Sequence, residues 1–188
     1  MTRMVIAVVR PFTPELFVRD GVARFYRKPN EIDDRLPRHT RWHRGVRALL
    51  GLPEAVPPRT DYVSSLLAWD PSVVRWLLVR VEQMTGRQWT DAISAQLHFS
   101  EWTINGVSVE EVIGAPINSY ASDTSRFHAL WDTIPLDERT DVEFVGTGSA
   151  EDLAVRISVK SYTQLPVRRA AYAALRGGQP AGPPPTKE

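Results

Sequence analysis

Arg35, Arg38, His39, Arg41, His43, Arg44 and Arg47 place seven cationic or titratable side chains within thirteen residues. Guanidinium groups take phosphate oxygens in a two-pronged geometry, so Arg38, Arg41 and His43 form a candidate site for a diphosphate or an anionic acceptor. The plainer alternative is a solvated helix face, because charge is expected on the outer side of an amphipathic helix. Glu101 lies in His98-Phe99-Ser100-Glu101-Trp102, where flanking aromatic rings would desolvate its carboxyl and lift it toward the range of a general base. Its alternative is an acid in a first helical turn, held there by the backbone dipole. His128, between Phe127 and Leu130-Trp131, is a candidate metal or phosphate ligand or else a core histidine, and the nearest carboxylates, Asp123 and Asp132, match no standard metal spacing. Trp42, Trp69, Trp76, Trp89 and Trp102 offer either a sugar-stacking platform or core packing.

Other chemistries are poorly represented. The chain has no glycine-rich phosphate loop, no Gly-x-Ser-x-Gly elbow and no His-Glu-x-x-His motif. It has no cysteine, which removes disulfides and thiolate metal sites. A net charge of +1 gives no overall field that would recruit nucleic acid. No stretch approaches the roughly 20 apolar residues of a membrane span, and the cytoplasm is the expected location.

With 188 residues and 43% apolar content, the chain is expected to form one domain over residues 1–176, followed by a disordered Pro/Gly-rich tail over 177–188. Met4 to Val9 is a continuous apolar run closed by Arg10-Pro11, which predicts a buried, parallel-type strand. Asp20-Gly21 predicts a turn into a second strand over Val22 to Arg27. Thr40 is a candidate cap for a helix ending at Gly51, with Arg41, Arg44 and Arg47 along one outward stripe. Tyr62 to Trp69 reads as a core strand, and Asp70-Pro71 opens the clearest helix, running to about Thr85 before Gly86. Trp89 to Leu97 reads as a short helix, and Ser100 caps another. Ser108 and Glu111 match a capping box. Phe127 to Trp131 is short and extended, Asp152 to Val159 alternates as a strand with one buried face, and Gln164 to Arg176 forms a terminal helix.

Val9-Arg10-Pro11-Phe12, Phe25-Tyr26-Arg27, Leu36-Pro37-Arg38-His39, Trp42-His43, Asp61-Tyr62-Val63 and His98-Phe99-Ser100-Glu101-Trp102 together resemble a bacterial family of GT-A-like nucleotide-diphospho-sugar transferase domains. The similarity runs from about Val5 to Arg169. It implies an α/β fold, a truncated GT-A-like (Rossmann-like) mixed sheet flanked by helices. It also implies transfer of a sugar from a nucleotide sugar to a hydroxyl acceptor, with manganese or magnesium as the divalent metal. In that reading Glu101 activates the acceptor, His128 lies near the metal or diphosphate, and Arg41 or His43 is on the acceptor side. The family's Asp-x-Asp motif corresponds here to Arg3-Met4-Val5, which carries no carboxylate, and the nucleotide-binding units that precede the motif have no counterpart. The expectation is therefore a transferase-like domain that is inactive or partner-dependent. The rival is a non-catalytic carbohydrate- or protein-binding module whose apolar edge is covered by a partner or by self-association.

Overall fold

The computed structural model describes residues 5–64, 68–114, 119–131, 133–149 and 151–177. The proline-rich tail over 178–188, and Arg3, Met4 and Asp132, lie outside the described residues. In chain order the strands are β1 (Val5–Val8), β2 (Val18–Arg19), β3 (Val22–Tyr26), β4 (Lys28–Ile32), β5 (Arg59–Asp61), β6 (Ser119–Ser122), β7 (Phe127–Leu130) and β8 (Ala154–Ile157). The α-helices are α1 (Pro37–Leu50), α2 (Pro71–Thr85), α3 (Trp89–Ser94), α4 (Glu101–Val107), α5 (Glu138–Gly146) and α6 (Leu165–Gly177). The fold is α/β with mixed sheets, as expected. The chain separates into two compact units, one of residues 13–124 and one of residues 1–12 with 125–188.

In the unit formed by 13–124, Asp20 and Gly21 both take positive φ, 52° and 76°, the backbone of a tight hairpin turn. That turn joins β2 to β3, and β3 pairs in parallel with β6. β4 and β5 form a separate antiparallel pair. The core is helical: Val46, Leu49 and Leu50 of α1 meet Val73, Leu77 and Val81 of α2 and Ile104 and Val107 of α4. Asp70 caps α2 by accepting from the Ser72 amide at 2.7 Å, a cap typically worth about 1 kcal/mol.

Several expectations are corrected here. α1 begins at Pro37, three residues before Thr40, because proline at the first helical position already has the required φ and lacks only an amide that would go unpaired. Arg47 does not join Arg41 and Arg44 on the outer stripe; it faces the core and is 7% exposed. The strand expected over Tyr62 to Trp69 lies earlier, at β5, and residues 65–67 of that stretch lie outside the described residues. Ser108 starts no new helix. α4 runs directly into a π-helical turn over Ser108–Ile113, with Ser108 fully buried inside it.

In the unit formed by 1–12 and 125–188, β7, α5 and β8 make a strand–helix–strand crossover with the two strands parallel. β1 is antiparallel to β8 and stands at the edge of the sheet, so the parallel, buried strand expected there is corrected: Val8 is 50% exposed. β8 is central and buried on both faces, which the expected one-sided alternation missed. Phe144, Val145, Val155, Ile157 and Ala171 pack as this unit's own core.

Gly106 of α4 lies flat against the ring of Tyr62, where any Cβ would overlap the aromatic carbons. Gly106→Ala is therefore expected to cost about 1–3 kcal/mol through overpacking. An unchanged midpoint in chemical denaturation would contradict this contact.

Candidate functional site

Two exposed arginines without a partner among the described residues stand at the start of α1. Its first turn holds no acidic residue, and Leu36 supplies no side-chain cap. Arg38 and Arg41 stand three residues apart, both exposed, and neither side chain makes an ion pair or hydrogen bond among the described residues. Their neighbours are paired: Arg35 with Asp33 at 2.6 Å and Arg44 with Glu54 at 2.9 Å. Trp42 lies one turn beyond Arg38, so the two share one helix flank. The indole is stacked by His39, with ring centroids 4.6 Å apart and an interplanar angle of 29°.

The His39 ring also approaches β5 of the β4–β5 pair. Its Nδ1 is 3.8 Å from Oδ1 of Asp61, whose same oxygen accepts from the Val63 amide at 2.9 Å. Burial raises the Asp61 carboxyl, and His39 opposes that rise; burial lowers His39, and Asp61 opposes that fall. The pair consequently sits nearer its neutral form than an exposed ion pair would. At that distance His39 Nδ1 is buried without a hydrogen-bond partner, and the two free guanidinium groups nearby are suited to phosphate oxygens.

Behind this surface is a buried layer of charge. His43 is 2% exposed, on the inner face of α1, so it does not share a surface with Arg38 and Arg41. Its Nε2–H donates to the Thr60 carbonyl at 2.9 Å, which places the proton on Nε2 and leaves Nδ1 buried without a partner. Burial drives its pKa down to about 4, with the Thr60 bond opposing. Tyr62 donates to Glu110 at 2.8 Å, Glu110 pairs with Arg27 at 3.0 Å, and Arg47 holds both oxygens of Glu111 at 2.7 Å. The π turn lets consecutive residues Glu110 and Glu111 both serve the interior, which one regular α-turn does not readily allow.

The other candidates are placed apart. Glu101 is the first residue of α4, beyond the Ser100 cap, with an exposed side chain that makes no hydrogen bond or ion pair among the described residues. That is the setting of an acid favoured by the helix dipole. His128 belongs to the other unit. Its Nε2 bonds the Phe144 carbonyl at 2.7 Å, its Nδ1 lies 3.9 Å from Asp152, and its ring packs on Phe144. Among the described residues no three His, Asp or Glu side chains converge on one point.

Asp61, Tyr62, Glu110 and Glu111 were not legible as site residues. Glu111 reads as the capping-box partner of Ser108. The signal that was available is the i, i+4 spacing of His39 and His43, which puts both on the inner side of α1. No protein-family profile, curated protein or solved structure matches this chain.

His43 gives the site a pH signature. An unfolded histidine titrates near 6.5, whereas the folded one does so near 4. Between these values the unfolded chain binds a proton that the folded chain does not, so stability falls as pH drops from 6.5 and levels off below 4. The loss is on the order of 3 kcal/mol. His43→Gln, which keeps a donor for Thr60, should remove about one proton from the pH slope of denaturation in that window. A slope identical to that of the parent would refute the assignment.

Proposed function

We propose that this chain is a binding domain for a phosphorylated sugar or sugar nucleotide, taken at the start of α1, and not a self-contained transferase. The observation that carries this reading is the pair of unpaired guanidinium groups, Arg38 and Arg41, beside the Trp42–His39 stack. The guanidinium groups would take the phosphate oxygens. The indole would offer an apolar face to the sugar ring. The His39–Asp61 pair would accept hydrogen bonds from ring hydroxyls. The resemblance to GT-A-like domains supports the same ligand class. Transfer to a hydroxyl acceptor would draw on carboxylates from outside this site, because Glu101 is exposed on α4 and His128 has Nε2 bonded to Phe144.

Calorimetric titration with glucose 1-phosphate, pyrophosphate and unphosphorylated glucose tests the proposal. The two phosphates are expected to bind with salt-sensitive affinity, and glucose much more weakly. Arg38→Ala with Arg41→Ala should cost about tenfold or more in Kd, since each charge-assisted contact is worth about 1.5–3 kcal/mol. Binding that survives both substitutions, or equal affinity for glucose and its phosphate, would overturn the reading.

A further inference from the structure

In the unit that carries β7 and β8, the two loops leaving the carboxyl ends of these parallel strands are stitched together. The Ser158 amide donates to the Leu130 carbonyl at 3.1 Å, and the Leu136 amide donates to Thr163 Oγ1 at 3.0 Å. These loops and the first residue of α6 expose large apolar side chains: Trp131 at 52%, Ile134 at 66%, Tyr162 at 78% and Leu165 at 56%. Tyr162 is held at φ +54°, a conformation few non-glycine residues adopt. A buried hydroxyl network fixes it there: Ser161 bonds Thr163 at 2.7 Å and the Ser158 carbonyl at 2.7 Å, and Arg168 donates to the Thr163 carbonyl at 2.7 Å. The Trp131 ring is backed by the Arg156 guanidinium, 3.7 Å from its centroid.

Beside this ridge is a recess of about 350 Å³, lined by Leu130, Ile134, Leu136 and Phe144 and bounded on α5 by Glu143. The surface thus carries both a protrusion and a hollow. It also carries both signs of charge. Lys160, on the ridge, is exposed and its ammonium makes no ion pair among the described residues, whereas Glu143, at the hollow, is 61% exposed and has only the loose i, i+4 pair with Arg139 at 3.8 Å.

The geometry points to a two-fold contact between two copies of this chain, in which Tyr162 of each copy enters the recess of the other and Lys160 meets Glu143 across the axis. Two features select a second copy over a small ligand. The four exposed side chains present on the order of 500 Å² of apolar surface, counting each aromatic at ~150–250 Å² when fully buried. That is the scale of a protein-contact patch and, with a polar rim, approaches the ~800 Å² per partner of a standard interface. The ridge and hollow, and the cation and carboxylate, are also complementary to each other on one surface, which is what an isologous interface requires. Trp131, already backed by Arg156, and Tyr162, on a backbone held by the hydroxyl network, lose little freedom on docking. This inference uses none of the residues proposed for ligand binding on α1.

Sedimentation velocity of the full chain over a wide concentration range tests it. A monomer–dimer equilibrium is expected. Tyr162→Gly, which removes the side chain and suits the positive φ, should weaken dimerisation by about tenfold or more. Lys160→Glu and Glu143→Lys should each weaken it by about tenfold, and the doubly swapped chain should recover most of the loss. Carbodiimide cross-linking of the unaltered chain should join Lys160 to Glu143 only in the dimer, a readout that stands even if a variant folds poorly. A chain that is monomeric throughout, a dimer indifferent to these substitutions, or a dimer without that cross-link would each overturn the proposal.

Discussion

The unit built on α1, α2 and α4 depends on one ion pair, between the buried guanidinium of Arg47 and the carboxylate of Glu111, whose side chain is 34% exposed. Both carboxylate oxygens lie 2.7 Å from the same guanidinium nitrogen, and the side chain of Arg47 is 8% exposed. Taking the Arg47 guanidinium out of water has a cost that this carboxylate offsets, so losing Glu111 would strand a buried positive charge. The arrangement is tolerable because Nε of Arg47 also donates to the Pro53 carbonyl, so little of the guanidinium's donor capacity is wasted. It also dictates backbone form. Glu111 must reach α1 while Glu110 reaches Tyr62 and Arg27, and the wider π turn meets both demands.

Seen from this constraint, the packing of Gly106 on Tyr62 and the neutral state of His43 have one origin. Tyr62 is drawn inward by Glu110, which forces its ring against α4 and leaves room only for glycine there. His43 lies close enough to Arg47 and Arg59 for both to oppose its protonation. A cation in that position would stand beside two other positive charges, so burial and these two arginines act in the same direction.

Local signals in the sequence were strong wherever a short-range rule decides the structure. Asp70-Pro71 with Gly86 marks α2 correctly at both ends, because capping and the left-handed stop depend on adjacent residues only. Asp20-Gly21 marks the hairpin for the same reason. What was not legible depends on distant partners. Arg47 looks like Arg41 and Arg44 until Glu111 is known to face it. Val5 to Val8 looks buried until its position at the sheet edge is known, since composition alone does not say which strand is central. β4 and α5 were missed because Lys28–Ile32 is largely polar and because α5 has weak apolar periodicity, its start being set by the Asp137–Thr140 capping box. The arginine cluster was visible, but its division into inner and outer members was not.

That division is the main reason to look for a ligand on α1. Between Arg35 and Arg59 the chain supplies a definite acceptor to most of its arginines: Asp33 to Arg35, Glu54 to Arg44, Glu111 to Arg47 and the Ala55 carbonyl to Arg59. Arg38 and Arg41 receive none among the described residues, although they stand where the helix backbone disfavours positive charge. Exposed arginines need no partner to be stable, so solvation alone accounts for their being free. Solvation does not account for their position beside an indole already stacked by His39. An anion carrying an apolar ring would offset the unfavourable charge placement and use the stack together, which neither water nor a simple counter-ion does.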